Sequence, residues 1–177
     1  TGLEWIHSVR ELLDGRIVIT SGDFANEKVS IFNLNGMASE GKSYKFAGAN
    51  QAEVLSDGRI AIKRLDRISI AQVSDNGKLF IEDTIVVQGS IERMAFLADG
   101  SYALIERNNG KILKVYSKDK KMVYSKPLED LFTKNNEGRP LVINDICELH
   151  PGVIMLAEEQ SSLIKVIDYK NDLCSNR

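Results

Sequence analysis

Histidine and cysteine are scarce in this chain, with two of each among 177 residues. His7 and His150 form no H-x-x-H or H-E-x-x-H spacing, so a histidine-based zinc site is not expected. Cys147 and Cys174 are too few for a disulfide framework and read as reduced thiols, which favours a cytoplasmic location. Between Ile146 and Leu149, Cys147 reads as an apolar filler on a buried strand. Neither charge sign dominates. The 23 basic and 25 acidic residues leave a formal net charge of -2, which argues against a dedicated nucleic-acid or anionic-membrane binder. Apolar runs such as residues 153–157 are far too short to span a bilayer. No G-x-S-x-G elbow is present, so nothing marks a serine hydrolase. Helical periodicity is also rare. Only residues 127–134 read as a short helix, with Pro127 near its start and acids in its first turn.

What the chain does have is aliphatic material and a repeat. Ile, Leu, Val and Phe supply 53 residues, enough to build a core for a single domain over residues 1–177. Residues 9–19, 53–62, 94–105 and 146–156 share one grammar, an apolar run, a tight turn and a second apolar run. Their turn glycines are Gly15, Gly58, Gly100 and Gly152, at spacings of 43, 42 and 52 residues. Asp-Gly between β-rich runs is a hairpin signal, since Asp tolerates positive φ and Gly adopts it freely. In the last repeat His150-Pro151-Gly152 replaces the Asp-Gly tip. A third strand follows each hairpin, at residues 28–33, 67–72, 111–116 and 163–168. A more polar fourth strand is expected at residues 43–47, 78–87 and 121–125.

Four antiparallel strands recurring about every 42 residues predict an all-β fold, a β-propeller of about four four-stranded blades. The expected blades cover residues 5–49, 50–89, 90–141 and 142–177, with the short helix inside an insertion over residues 126–140. The Asp-Gly tips, with third strands ending Ile31-Phe32-Asn33 and Val166-Ile167-Asp168 where a Trp-Asp pair would fall, resemble the WD40-type propeller family over nearly the whole chain. The near-neutral charge fits a scaffold for a protein partner more readily than one for nucleic acid. The fourth repeat is expected to fall short, because residues 170–177 hold too few apolar side chains for a convincing outer strand. Either residues 1–6 supply that strand, or the chain is an arc of a larger propeller. The chain opens on Thr1, and we expect further sequence, a partner fragment or self-association to complete the ring.

Three function classes follow. The first is a non-enzymatic module that binds a protein or peptide on the loops joining second to third strands, with Phe24, Arg64, Arg107, Glu158 and Glu159 as candidate contacts. It requires no cofactor. The second is a lactonase-like propeller hydrolase holding Ca²⁺ near the starts of the first strands, where His7, Asn50, Gln51, Glu92, Arg93, Asn144 and Asp145 gather. Glu92, Asn144 and Asp145 would supply its oxygen ligands, whereas the plainer reading has these groups bonding to neighbouring blades. The third is a nucleotide site. Residues 36–43 match G-x-x-x-x-G-K-[ST], with Gly36 and Gly41 shaping the loop, Lys42 reaching phosphates and Ser43 ligating Mg²⁺. Such a loop must open a helix, yet residues 44–51 read as a strand and a turn.

Overall fold

The turn glycines set the register of the sheets. In the computed structural model, which describes residues 5–23, 26–33, 41–132, 141–159 and 163–176, Gly15, Gly58, Gly100 and Gly152 have φ of 83°, 85°, 83° and 91°. The N–H of Gly15, Gly58 and Gly100 each donates at 2.9 Å to the carbonyl three residues back, on Leu12, Leu55 and Leu97. The preceding aspartates do not share the positive φ expected of them. Instead Asp14, Asp57 and Asp99 accept the N–H two residues ahead, from Arg16, Arg59 and Ser101 at 3.1, 3.1 and 2.9 Å. The glycine therefore takes the left-handed step and the aspartate closes the turn through its side chain.

The first 88 residues form one compact unit. Its first sheet runs in the order β1 (Ile6–Glu11), β2 (Ile17–Ser21), β3 (Lys28–Phe32) and β4 (Lys42–Lys45). Its second is β5 (Gln51–Val54), β6 (Ile60–Lys63), β7 (Arg67–Val73) and β8 (Leu79–Val86). Every pairing is antiparallel. Alternation sends Val18, Val29 and Ile31 of the first sheet into one core with Ala52, Ile60 and Ile62 of the second. Each aliphatic side chain so buried contributes roughly 1.5–3 kcal/mol relative to an exposed one. The Ser8 hydroxyl, beneath this core, accepts the Ala52 N–H at 2.9 Å and ties β1 to β5.

Residues 89–177 form the second unit. One sheet contains β9 (Ser90–Phe96), β10 (Tyr102–Arg107), β11 (Lys111–Tyr116) and β12 (Met122–Pro127), and the other β13 (Ile143–His150), β14 (Val153–Glu158), β15 (Ile164–Asp168) and β16 (Leu173–Asn176). These are again antiparallel meanders. Ile105, Leu113 and Val115 pack with Ile146, Ile154 and Leu156, and the helical turn α1 (Leu128–Leu131) adds Leu128, Leu131 and the adjoining Phe132 to that core. Among the described residues no helix is long and apolar enough to cross a membrane.

Two sequence expectations change here. The fourth sheet has its own outer strand, β16, because main-chain pairing of residues 173–176 with 165–168 needs no apolar side chains. Cys147 is exposed, and neither cysteine forms a disulfide. It pairs with Met155 on the face of β13 opposite the core, whereas Ile146 and Ile143 point inward. Four antiparallel, four-stranded propeller blades and one short helix thus match the expected fold class.

Candidate functional site

Function on a blade scaffold concentrates in the connections between strands, because the sheets hold their ends rigidly. In the first unit, the end where β1 begins and β2 passes to β3 is closely bonded. The His7 Nε2–H donates to the Gly22 carbonyl at 2.8 Å, and the Gly22 N–H donates to the Trp5 carbonyl at 3.1 Å. A Cβ on Gly22 would lie 2.4 Å from the Asn26 carbonyl oxygen, so the turn closes only around glycine. The buried Glu27 carboxylate accepts the Gly48 N–H at 2.8 Å, and its carbonyl accepts the Phe46 N–H. Arg64 sits 5.2 Å above the Phe46 ring and donates from Nε to the Ala47 carbonyl. Asp66 accepts from Arg67 at 2.8 Å, which holds its carboxyl below the usual aspartate range, and its carbonyl accepts the Val87 N–H.

The most exposed large apolar residues at this same end are Trp5 at 73%, Leu65 at 67% and Val86 at 66%, with Ile6 less so. Arg64, a candidate contact from the sequence, lies between them in chain order and is half-buried against Phe46, so its guanidinium serves the frame. The sequence reasoning missed Trp5 and Leu65. Their signal was a lone Trp just ahead of the first strand and one Leu set between Arg64 and Asp66 in a polar loop.

The corresponding end of the second unit is charged. Glu92 is paired with Lys111 at 2.7 Å and with Arg107 at 3.6 Å. Arg107 and Glu159 are exposed, and the Glu159 N–H donates to the Val142 carbonyl. Glu158, expected as a surface contact, is only 6% exposed at the end of β14. Phe24 lies outside the described residues.

The two alternative sites fare differently. Lys42 and Ser43 stand in β4 where a phosphate loop requires the first turn of a helix. The Lys42 ammonium donates to the Asn76 carbonyl, Ser43 bonds the Ser30 hydroxyl at 2.8 Å, and a Cβ on Gly41 would strike the Phe32 ring. A strand here aims no row of N–H groups at a phosphate, and Gly36 lies outside the described residues. His7, Gln51, Glu92, Arg93, Asn144 and Asp145 do fall in the opening residues of first strands. Their contacts are mutual or local. The Arg93 Nε–H donates to the Asn144 carbonyl at 2.7 Å, and Asp145 accepts the Ile146 N–H at 2.9 Å. The Glu92 carboxylate already carries two cations. Among the described residues no group of three or more His, Cys, Asp or Glu is placed to hold a metal.

Solved structures with the same arrangement place these sheets in a known architecture. A WD40 domain of Pan2 from Neurospora crassa is 10% identical over 98% of this chain and 50% of that one, with a TM-score of 0.67. The Cps50 (Swd1) β-propeller domain of Myceliophteria thermophila is 15% identical over 91% of this chain and 50% of that one, at 0.65. Virginiamycin B lyase from Staphylococcus aureus is 13% identical over 97% of this chain and 55% of that one, at 0.62. The fold is that of the β-propellers. At such identities the likeness extends to fold alone, and propellers of this kind include both WD40 domains and a lyase. The chain spans about half the length of these propellers. No protein-family model matches it, and no curated protein does.

Proposed function

We propose that this propeller chain is a protein-interaction module and that the end of its first unit bearing Trp5, Leu65 and Val86 receives an apolar anchor of a protein or peptide partner. The observation that carries this reading is the exposure of those three side chains above a frame whose backbone groups are already bonded. A rigid frame lowers the ordering cost of binding, and Trp is the residue type that most often dominates an interface. WD40 domains among the similar structures support an interaction role. Arg64 acts from beneath, holding the loop that presents Leu65. Arg107 and Glu159 belong to the second unit and form a charged surface of their own.

Selection of a random peptide library on the intact chain tests this. Selected peptides should lose roughly thirtyfold in affinity for Trp5→Ala, the factor that about 2 kcal/mol represents. Arg107→Glu should leave their affinity unchanged. Peptides that bind Trp5→Ala and Leu65→Asp as tightly as the parent would overturn the assignment.

A further inference from the structure

The same tripeptide, Asn-Gly-Lys, stands in two strand connections of this chain, at residues 76–78 and 109–111. Asn-Gly is the pair most open to loss of the asparagine amide, because glycine has no Cβ to shield its nitrogen from the neighbouring side chain. A further pair, Asn35-Gly36, lies outside the described residues. Asn76 falls between β7 and β8 in the first unit, and Asn109 between β10 and β11 in the second. Both asparagines are exposed, so access to water does not separate them. Their hydrogen bonds do.

At the first turn both reacting groups are held. The Asn76 Oδ1 accepts the Ser74 hydroxyl at 2.7 Å and the Lys78 N–H at 3.2 Å, and the Gly77 N–H donates to the Ser74 carbonyl at 2.8 Å. The turn is clasped from outside as well, since Arg16 donates to the Ser74 carbonyl and the Tyr44 hydroxyl to that of Gly77. At the second turn the Asn108 N–H donates to the Gly110 carbonyl at 3.0 Å, a bond that uses neither reacting group. Among the described residues, neither the Asn109 carboxamide nor the Gly110 N–H has a hydrogen-bond partner. The nearest described atom outside the turn to a Cβ on Gly110 would be Glu129 Oε1 at 3.9 Å, so no packing holds this glycine. Asn109 also keeps a φ of 54°, a left-handed backbone that costs a residue with a Cβ more than it costs glycine.

From this contrast we infer that Asn109 is a spontaneous deamidation site of the folded chain, and that the bonds on residues 74–77 spare Asn76. The Gly110 nitrogen gives up its proton to water and attacks Cγ of Asn109. The Cγ–Nδ2 bond then breaks, and the amide group leaves as ammonia with a proton taken from water. A second water opens the cyclic imide at either of its carbonyls, which leaves aspartate or an isoaspartyl linkage. Water is consumed, ammonia is released, and nothing is oxidised or reduced. The new carboxylate stands on the turn between Arg107 and Lys111, the cations that pair with Glu92. The isoaspartyl form also adds a methylene to the main chain of the turn that sets Arg107 opposite Lys111. The reaction therefore adds negative charge to the charged end of the second unit and leaves the apolar end of the first unit as it was.

Peptide mapping of the intact chain, aged at neutral pH and body temperature, gives the test. Trypsin releases separate peptides ending at Lys78 and Lys111, and fragmentation by mass spectrometry assigns the amide-to-acid change to a residue in each. Asn109 should react roughly tenfold faster than Asn76 or more, because hydrogen bonds must break before Asn76 can. In urea the two rates should converge, since both asparagines precede Gly-Lys. Ser74→Ala removes the hydroxyl that donates to Asn76 Oδ1, so it should speed Asn76 about threefold and leave Asn109 unchanged. Equal rates in the folded chain, a difference that persists undiminished in urea, or an Asn76 rate that Ser74→Ala does not move would overturn the inference.

Discussion

The two units are built from the same parts and are fastened differently. In the first, the turn over residues 74–77 is clasped by neighbouring side chains that all end on carbonyls. Arg16 donates to Ser74 at 2.6 Å, the Tyr44 hydroxyl to Gly77 at 2.8 Å, and Lys42 to Asn76. In the second, the outer strands are clasped by a carboxylate. Asp172 accepts from Lys126 at 2.8 Å and from the Tyr124 hydroxyl at 3.2 Å, and α1 closes the core beside them. Carbonyl oxygens do not titrate in the ordinary pH range and carboxylates do. The clasp at Asp172 is therefore expected to weaken in acid, whereas the carbonyl acceptors of the first clasp do not titrate.

The sharpest way to break this comparison is through the helix that, among the described residues, only the second unit has. Leu128 is fully buried, and Leu128→Ala should cost about 3 kcal/mol by leaving a cavity. Urea unfolding followed by hydrogen exchange should show that loss in amides of residues 89–177 before those of the first unit. An equal loss in both units would mean that they unfold as one. Next in size, Arg16→Ala should cost the first unit about 2 kcal/mol, because it strips charged donors from the Ser74 and Val73 carbonyls. Lys at this position should rescue only part of that, since it lacks the forked geometry.

Smaller still, Gly15→Ala meets no atom within 4 Å, so its cost is the left-handed backbone alone, about 1 kcal/mol by thermal unfolding. A neutral result there would show that the turn relaxes. The smallest effect is the pH response. Hydrogen bonding to Lys126 lowers the Asp172 carboxyl below the ordinary value of 3.8, so its contribution is complete above that pH and is lost as pH falls through the folded value. Burial, with the nearby Asp172 charge, raises the Tyr124 hydroxyl above its ordinary 10.0, so that contribution holds below pH 10.0 and is lost as pH rises through the folded value. Asp172→Asn should reduce the acid limb in the second unit, where Asp99 and Asp168 also contribute, and leave that of the first unchanged.

Particular elements show which features could be read before the structure. The hairpins were legible because Asp-Gly carries its own geometry, although the aspartates work as hydrogen-bond acceptors and leave the positive φ to glycine. The third strands were legible because runs such as Ile68 to Ala71 have no solvated face. β16 was not, since an edge strand held by main-chain bonds leaves little mark in side-chain pattern. The P-loop pattern misled because Lys42 and Ser43 satisfy a consensus whose chemistry depends on the element that follows. Glu158 and Cys147 were placed on the wrong side of the surface, because alternation tells that neighbours face apart and not which face another sheet covers.

What the sequence by itself determined is local. Turn glycines need the left-handed region, β-branched runs alternate across a pleat, and both hold whatever lies beyond the hairpin. Only the tertiary structure decided that Ala52 is sealed and Val9 is open at the same place in the repeat, that Arg64 braces a loop on Phe46, and that Trp5 and Leu65 stay in solvent. The physical reason is that burial and long side-chain contacts depend on which sheet packs against which face, a long-range choice that no single repeat encodes.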